Sequence, residues 1–326
     1  LTLQKVKLVL TCEQREETLP NAIRIVNSYI ERQKTGFGSH QSPKQNKQMS
    51  SLTLSLIQTN LYWEDTKANL DMLESKINSI TKKTEVVILP EMFTTGFSMQ
   101  PKKFAETMDG KAMQWMKRIS ADKKVIVTGS LMMEDGGNYY NRMVWMLPNG
   151  QMGCYDKRHL FANGNEHNHY LPGHKRLIAS VKGWRVNLQI CYDLRFPVWA
   201  RQSQPLHTNG EGDNGKPDGD VQAFEYDLLI LVANWPEPRN HAWKTLLQAR
   251  AVENQCFVAA VNRVGTDANG LYHSGDSMLV NPMGHPIYQK AHDEDIATIT
   301  INKNELEEVR TKFPFYKDAD PFRILQ

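Results

Sequence analysis

The chain has 326 residues, 40% of them apolar and 23% charged, with a formal net charge of +3. That balance belongs to a soluble globular chain with material for a sizeable core, and no apolar run approaches the ~18 residues that a membrane span needs. The charge distribution argues against nucleic-acid binding as well: residues 1–48 hold eight Lys/Arg against four Glu, which leaves 31 of 39 basic and 32 of 36 acidic residues elsewhere and a near-neutral body, where a nucleic-acid protein would need a basic face.

Those first 48 residues stand apart. The chain opens on Leu1 rather than methionine, "TGFGSHQSPKQNKQ" is polar and carries turn formers, and Met49 reads as a natural start. We expect residues 1–48 to be an N-terminal extension, non-catalytic or disordered. Within it "PNAIRIVNSYIERQK" has the spacing of a short amphipathic helix, but the apolar segment and cleavage site of a secretory signal are not evident.

From Leu52 strands and helices broadly alternate, which defines one domain over residues 49–326. "LTLSLIQ" alternates as a strand, and "DTKANLDMLESKINSI" carries Leu70, Leu73, Ile77 and Ile80 at helical spacing behind an Asp65 cap. "EVVILPE" is an apolar strand ending at Glu91, and a helix follows near Lys111–Ala121. Then come the strands "KVIVTGSLMM", "YYNRMVWMLP", "QMGCYDK" and "WRVNLQI", the last ending at Cys191, with a helix start at Pro197. The tract 203–222, rich in Gly, Asp and Asn, reads as a surface-loop insertion. Beyond it lie the strand "YDLLILVAN", the helix "HAWKTLLQARAVEN", the strands "CFVAAVNRVG", "HSGDSMLVNP", "HPIYQK" and "IATITI", and a last helix "KNELEEVRTKF". Continuous apolar strands imply sheets covered on both faces, hence a layered α/β fold.

Three polar residues stand where apolar strands end: Glu91, Lys157 and Cys191. Each has a plain structural reading. A cysteine there is commonly a small buried hydrophobe, and a single Glu or Lys is commonly a solvated or paired charge. Together they are chemically coherent. A carboxylate can accept the proton of a thiol, an ammonium can steady a tetrahedral oxyanion, and a tight turn into Pro197 can offer backbone N–H groups. This is nucleophilic acyl transfer without histidine.

The segments "LPEMFTTGF", "YDKRHLF", "ICYDLRFP", "VANWP" and "HAWKTLLQARAVENQ", in that order, resemble the carbon–nitrogen hydrolase, or nitrilase, superfamily, and within it the omega-amidase branch that acts on 2-oxo acid amides. The resemblance runs from about Leu52 to Phe322. It implies a four-layer α-β-β-α sandwich and a Glu–Lys–Cys triad. By motif position Glu91 would be the general base, Lys157 the stabiliser of the tetrahedral intermediate and Cys191 the nucleophile. A second, supporting glutamate would be Glu166 in "ANGNEHNHY", although its setting is loop-like. Other amidases and N-carbamoyl-amide hydrolases share the triad and stay open as alternatives, as does a non-catalytic binding member of the fold.

A 2-oxo carboxylate calls for an arginine fork or backbone N–H groups. The candidates for the substrate pocket are Tyr192, through its backbone N–H, Arg195, Asn234, Trp235 and Phe97, with Tyr62 as a further wall residue. Arg195 has an equal alternative as a structural ion pair. The cluster "EHNHYLPGH" (Glu166, His167, His169, His174) follows no zinc spacing and reads as a polar loop. Nothing matches a phosphate loop or a dinucleotide fingerprint, so no cofactor or metal is expected. The four scattered cysteines, Cys12, Cys154, Cys191 and Cys256, point to a reducing compartment, the cytoplasm. The expected partners are a small amide substrate and water, with no nucleic acid and no membrane; a homodimer is what the resemblance implies.

Overall fold

Alternation along the first strand decides how the layers stack. The computed structural model describes residues 50–202, 224–320, 322 and 324; the expectations for residues 1–48 and for the 203–222 tract lie outside the described residues. In β1 (Ser51–Gln58) Leu52, Leu54 and Leu56 belong to one core and Ile57 to another. Successive side chains of a strand point to opposite faces, so this strand is covered on both. Next come α1 (Thr66–Asn78), β2 (Val86–Ile88), α2 (Pro101–Phe104) and α3 (Lys111–Lys123). In β2 the alternation recurs: Val86 and Ile88 join the first core, Val87 the second.

The chain continues through β3 (Ile126–Asp135), β4 (Asn138–Met146) and β5 (Met152–Asp156), and the first sheet, six-stranded with one strand from near the chain's end, has these strands in the order β1-β2-β3-β4-β5. A second sheet begins with β6 (Ile178–Val181) and β7 (Trp184–Ile190). After it come a 3-10 turn (Cys191–Arg195) and α4 (Pro197–Ala200). It goes on with β8 (Leu228–Ala233), α5 (Asn240–Asn254), β9 (Phe257–Asn262), β10 (Val264–Thr266), β11 (Tyr272–Val280) and β12 (Pro286–Ala291). Its order is β10-β11-β9-β8-β7-β6, with β12 on β11. The chain then returns to the first sheet as β13 (Asp295–Asn302) before α6 (Lys303–Lys312).

Leu70, Leu73 and Ile77 of α1 and Met116 and Ile119 of α3 pack on the Val87 face of the first sheet. Between the sheets Leu54, Ile88 and Trp145 share a core with Trp184, Val186 and Leu188, and α5 adds Trp243, Leu247 and Ala251 to it. The layers are therefore helix, sheet, sheet, helix, the sandwich expected from the sequence. Each fully buried Leu, Ile or Val contributes about 1.5–3 kcal/mol. Strands β1, β2 and β3 run parallel in one sheet, and β7, β8 and β9 run parallel in the other. Among the described residues no helix is long and apolar enough to cross a membrane.

Two elements go beyond the sequence reading. The four-residue α2 is shorter than any helical period can register, and β6 is a short strand between "KR" and "KG" that carries little apolar signal. The helix begun at Pro197 is itself only four residues long.

A buried ion cluster fastens the second sheet to the last helix. Asp227, one residue before β8, accepts from Arg185 Nη2 at 2.7 Å, Arg310 Nη1 at 2.8 Å and Lys303 Nζ at 3.3 Å. Burial alone would push this carboxyl up, but the hydrogen bonds and charges of Arg185 and Arg310 outweigh it and hold it well below the usual carboxylate range. A depressed folded-state pKa gives stability that is present above the unfolded value of about 3.9 and lost as pH falls below it. Asp227→Asn is expected to cost about 3 kcal/mol in urea unfolding at neutral pH. The gap to wild type should shrink in acid; a gap that stays constant contradicts the assignment.

Candidate active site

The parallel strands deliver their C-terminal ends to one crevice, as layered α/β folds do. Glu91 follows the apolar "VVILP" of β2, Lys157 directly follows β5, Cys191 directly follows β7, and Asn234 directly follows β8. Two of these strands belong to the first sheet and two to the second, so the site joins the sheets. Glu166 comes from a 3-10 turn, Glu166–Asn168, whose neighbours His167 and His169 face solvent while it is buried.

The structure brings four of the expected residues together. Lys157 Nζ donates to Glu91 Oε1 at 2.9 Å and to Glu166 Oε1 and Oε2 at 3.0 and 2.9 Å. Glu91, Lys157 and Glu166 are fully buried at 0% exposure, while Cys191 keeps 9% and is the one member of the four that lines a cavity. Asn141 holds the carboxylates apart: its Nδ2 donates to Glu91 Oε1 at 2.8 Å and to Glu166 Oε1 at 3.1 Å. Glu91 Oε2 accepts from the Asn234 N–H at 2.7 Å, and Glu166 Oε2 from the Phe161 N–H at 2.6 Å.

Electrostatics follow from this packing. Burial would pull Lys157 down, but the charges of Glu166 and Glu91 outweigh it and keep the ammonium well above the ordinary lysine range. Burial, reinforced by the charge of Glu91, raises the Glu166 carboxyl. Burial also pushes the Cys191 thiol well up. The Glu91 charge adds to this, and the Lys157 charge opposes it. The resting residue is a thiol beside a carboxylate.

Cys191 sits at φ +44°, in the left-handed region that side chains rarely adopt. Such strain costs of order 1–3 kcal/mol and persists only where the surroundings fix it. Here Asp193 does so. Its Oδ2 accepts the Ile190 N–H at 3.0 Å and the Tyr155 hydroxyl at 2.7 Å, and its Oδ1 accepts the His159 N–H at 2.9 Å. The nucleophile candidate therefore stands on a sharp, hydrogen-bonded turn from strand to 3-10 helix.

A cavity of about 360 Å³ opens over Cys191, and Phe97, Tyr192, Arg195, Asn234 and Trp235 all line it. Tyr62 does not; it is 54% exposed. Arg195 lays its guanidinium 5.0 Å from the Trp235 ring centre, and among the described residues no carboxylate pairs with it. The structural ion pair weighed as its alternative is thus not formed there. Asn234 lines the cavity, but its backbone N–H and its Nδ2 both donate to Glu91, the latter to the main-chain oxygen at 2.6 Å. Among the described residues no group of three or more His, Cys, Asp or Glu is arranged to hold a metal ion.

Several residues escape the sequence reading. Asn141 left a signal, a lone amide inside "YYNRMVWM", and Asp193 stands within the quoted "ICYDLRFP". Phe161, Arg239 and His273 line the cavity from loops and a distant strand, and no periodicity marks them.

Comparison with known proteins identifies the family. The family model for carbon-nitrogen hydrolases matches residues 53–311. The chain is 38% identical to the omega-amidase YafV of Escherichia coli K12, over 85% of this chain and 100% of that one. It is 32% identical to the 2-oxoglutaramate amidase of Bacillus subtilis strain 168, over 82% and 96%. The crystal structure of XC1258 from Xanthomonas campestris, a CN-hydrolase superfamily protein with an arsenic adduct in its active site, is similar with a TM-score of 0.78. There the identity is 42% over 85% of this chain and 100% of that one. The chain belongs to the carbon–nitrogen hydrolase family, the nitrilase superfamily, and is a hydrolase of carbon–nitrogen bonds.

The buried charges can be tested without reference to activity. Lys157→Met leaves two facing carboxylates without their cation and is expected to cost about 3–5 kcal/mol in urea unfolding. Adding Glu166→Gln removes one of those charges and should restore at least about 1 kcal/mol. A double variant less stable than Lys157→Met alone contradicts the ion network.

Proposed function

We propose that the protein is an omega-amidase that hydrolyses the terminal amide of 2-oxo acid amides, such as 2-oxoglutaramate or 2-oxosuccinamate, to the 2-oxo acid and ammonia. One observation carries the reaction type: Cys191, in the field of the Glu91 carboxylate and of the Lys157 ammonium paired with it, is the member of this group that meets the cavity. The choice of substrate is supported by similarity along nearly the full length of relatives named omega-amidase and 2-oxoglutaramate amidase.

The chemistry follows from the donors and acceptors. Cys191 Sγ attacks the amide carbon while its proton passes to Glu91, so no free thiolate has to persist in the buried site. The carbonyl π electrons move to oxygen. That oxyanion takes a hydrogen bond from the Lys157 ammonium and one from the Tyr192 backbone N–H, at the start of the turn after β7. Glu91 returns the proton to the amide nitrogen, the C–N bond breaks, and ammonia leaves a thioester on Cys191. Water then gives a proton to Glu91 and adds to the thioester; the C–S bond breaks, the acid departs and the thiol regains its proton. Glu166 and Asn141 act through Lys157 and Glu91 and are positioning residues. Arg195, carried on the Trp235 face, receives the substrate carboxylate.

A nucleophilic thiol suits a reducing compartment, so the same reading assigns the protein to the cytoplasm. It acts there as a homodimer of packed sandwiches.

Ammonia release should be far faster from 2-oxoglutaramate than from glutamine, asparagine or N-carbamoyl amino acids. Intact-protein mass spectrometry during turnover should find the acyl group on wild-type protein and none on Cys191→Ala. Equal rates across the panel would refute the substrate class. An adduct that survives in Cys191→Ala would refute the nucleophile.

A further inference from the structure

We propose that Arg239 is a second anion-binding group of the pocket, which with Arg195 forms a two-guanidinium clamp that selects 2-oxo acid amides over amino-acid amides. The proposal rests on the omega-amidase reading above and names the basis of its selectivity.

Two cations share one cavity. Arg195 and Arg239 both line the space over Cys191. Each guanidinium is carried on an aromatic face: Arg195 lies 5.0 Å from the Trp235 ring centre and Arg239 lies 5.0 Å from that of Phe161. Like charges sharing a small cavity repel, and they persist only where something of opposite sign compensates them. Among the described residues no carboxylate forms an ion pair with either. Asp267 lines the same cavity, but its Oδ1 accepts the backbone N–H groups of Asn269 and Leu271 and closes its own turn. His273, also on the wall, is held near pKa 4 by burial and by Arg263, so it is neutral at physiological pH. Neither guanidinium is taken up by a carboxylate of the cavity, so both can receive one from a ligand.

The supports of the two arginines are linked to each other and to the reaction centre. Trp235 Nε1 donates to the Arg239 main-chain oxygen at 2.8 Å, so the residue that carries one guanidinium is the anchor for the platform of the other. Phe161, beneath Arg239, gives its N–H to Glu166 and packs edge-on against Tyr192. Arg239 thus shares with Arg195 the cavity that Cys191 and Tyr192 also line. A carboxylate has two oxygens and several lone pairs, and two guanidiniums can share it where one would bind it at a single edge. Pinning the carboxylate end fixes how far the amide end reaches toward Cys191.

The same charges discriminate at the neighbouring carbon. A 2-oxo group presents an acceptor to the clamp, whereas the 2-ammonium of glutamine or asparagine presents a third positive charge. Specificity against those abundant amides then arises from repulsion as well as attraction.

Steady-state kinetics with 2-oxoglutaramate, L-glutamine and butyramide on the wild type, Arg239→Gln and Arg239→Lys test this directly. These side-chain changes keep the main-chain oxygen that anchors Trp235. In Arg239→Gln the KM for 2-oxoglutaramate should rise about ten- to a hundredfold, with kcat within about threefold. The ratio of kcat/KM for 2-oxoglutaramate over butyramide should fall by at least about tenfold, and discrimination against glutamine should narrow with it. Arg239→Lys, which keeps the charge but not the fork, should fall between. If the wild type prefers 2-oxoglutaramate but Arg239→Gln keeps both ratios, or loses only kcat, the clamp is overturned while the omega-amidase reading stands. If the wild type itself does not prefer the carboxylate-bearing amide, the omega-amidase reading fails and the clamp falls with it.

Discussion

One ammonium between two buried carboxylates is the constraint on which the rest of this structure depends. Lys157 has no water to solvate it, and Glu91 and Glu166 have none either. Three charges left unsolvated are costly unless they meet with good geometry and every remaining lone pair finds a donor. Asn141, the Asn234 N–H and the Phe161 N–H supply those donors, and each comes from a different part of the chain. The sandwich can therefore close in only one register, because a slip in β4, β5 or β8 would strand a charge. The ion network also carries more negative than positive charge, which adds to burial in keeping the adjacent cysteine a thiol.

The two sheets divide the work. The first supplies the carboxylate, the ammonium and the amide that aligns them. The second supplies the strained cysteine, the turn that holds it and the Asn234–Trp235 wall. The Asp193 hydrogen bonds give the Cys191 turn a rigid footing, so the positive φ is maintained by neighbours rather than by glycine. On the outer side, aromatic faces carry the cavity's arginines. Two guanidiniums therefore share one cavity with Cys191, beside which lie the buried carboxylates.

Much of this was legible in the sequence because apolar strands announce themselves and polar residues at their ends stand out. "VVILPE", "GCYDK" and "VNLQIC" end on Glu91, Lys157 and Cys191, and the layers follow from runs such as "LLILVA", too apolar for a half-exposed sheet. Glu166 was harder. Its segment has no period, and only the fold shows that the turn carries it inward while His167 and His169 stay outside. Asn141 lies in a strand whose alternation hides which face meets the site. Arg239 and His273 could not be assigned from spacing, since they reach the cavity through loop geometry and a strand more than 80 residues beyond the cysteine. For Arg195 the sequence left two roles open, and the aromatic platform beneath it is a contact between positions 40 apart that no local pattern encodes.

The central claim is that Cys191 rests as a thiol beside the Glu91 carboxylate and surrenders its proton only as it attacks. The most direct measurement is the ultraviolet absorbance of the thiolate, taken as wild type minus Cys191→Ala across a pH titration without substrate. Burial and the Glu91 charge predict no thiolate signal at neutral pH, with absorbance rising only in alkali above the range of an ordinary cysteine. A full thiolate signal at neutral pH would contradict the account, because the proton would then already reside on Glu91 or be lost before any substrate arrived.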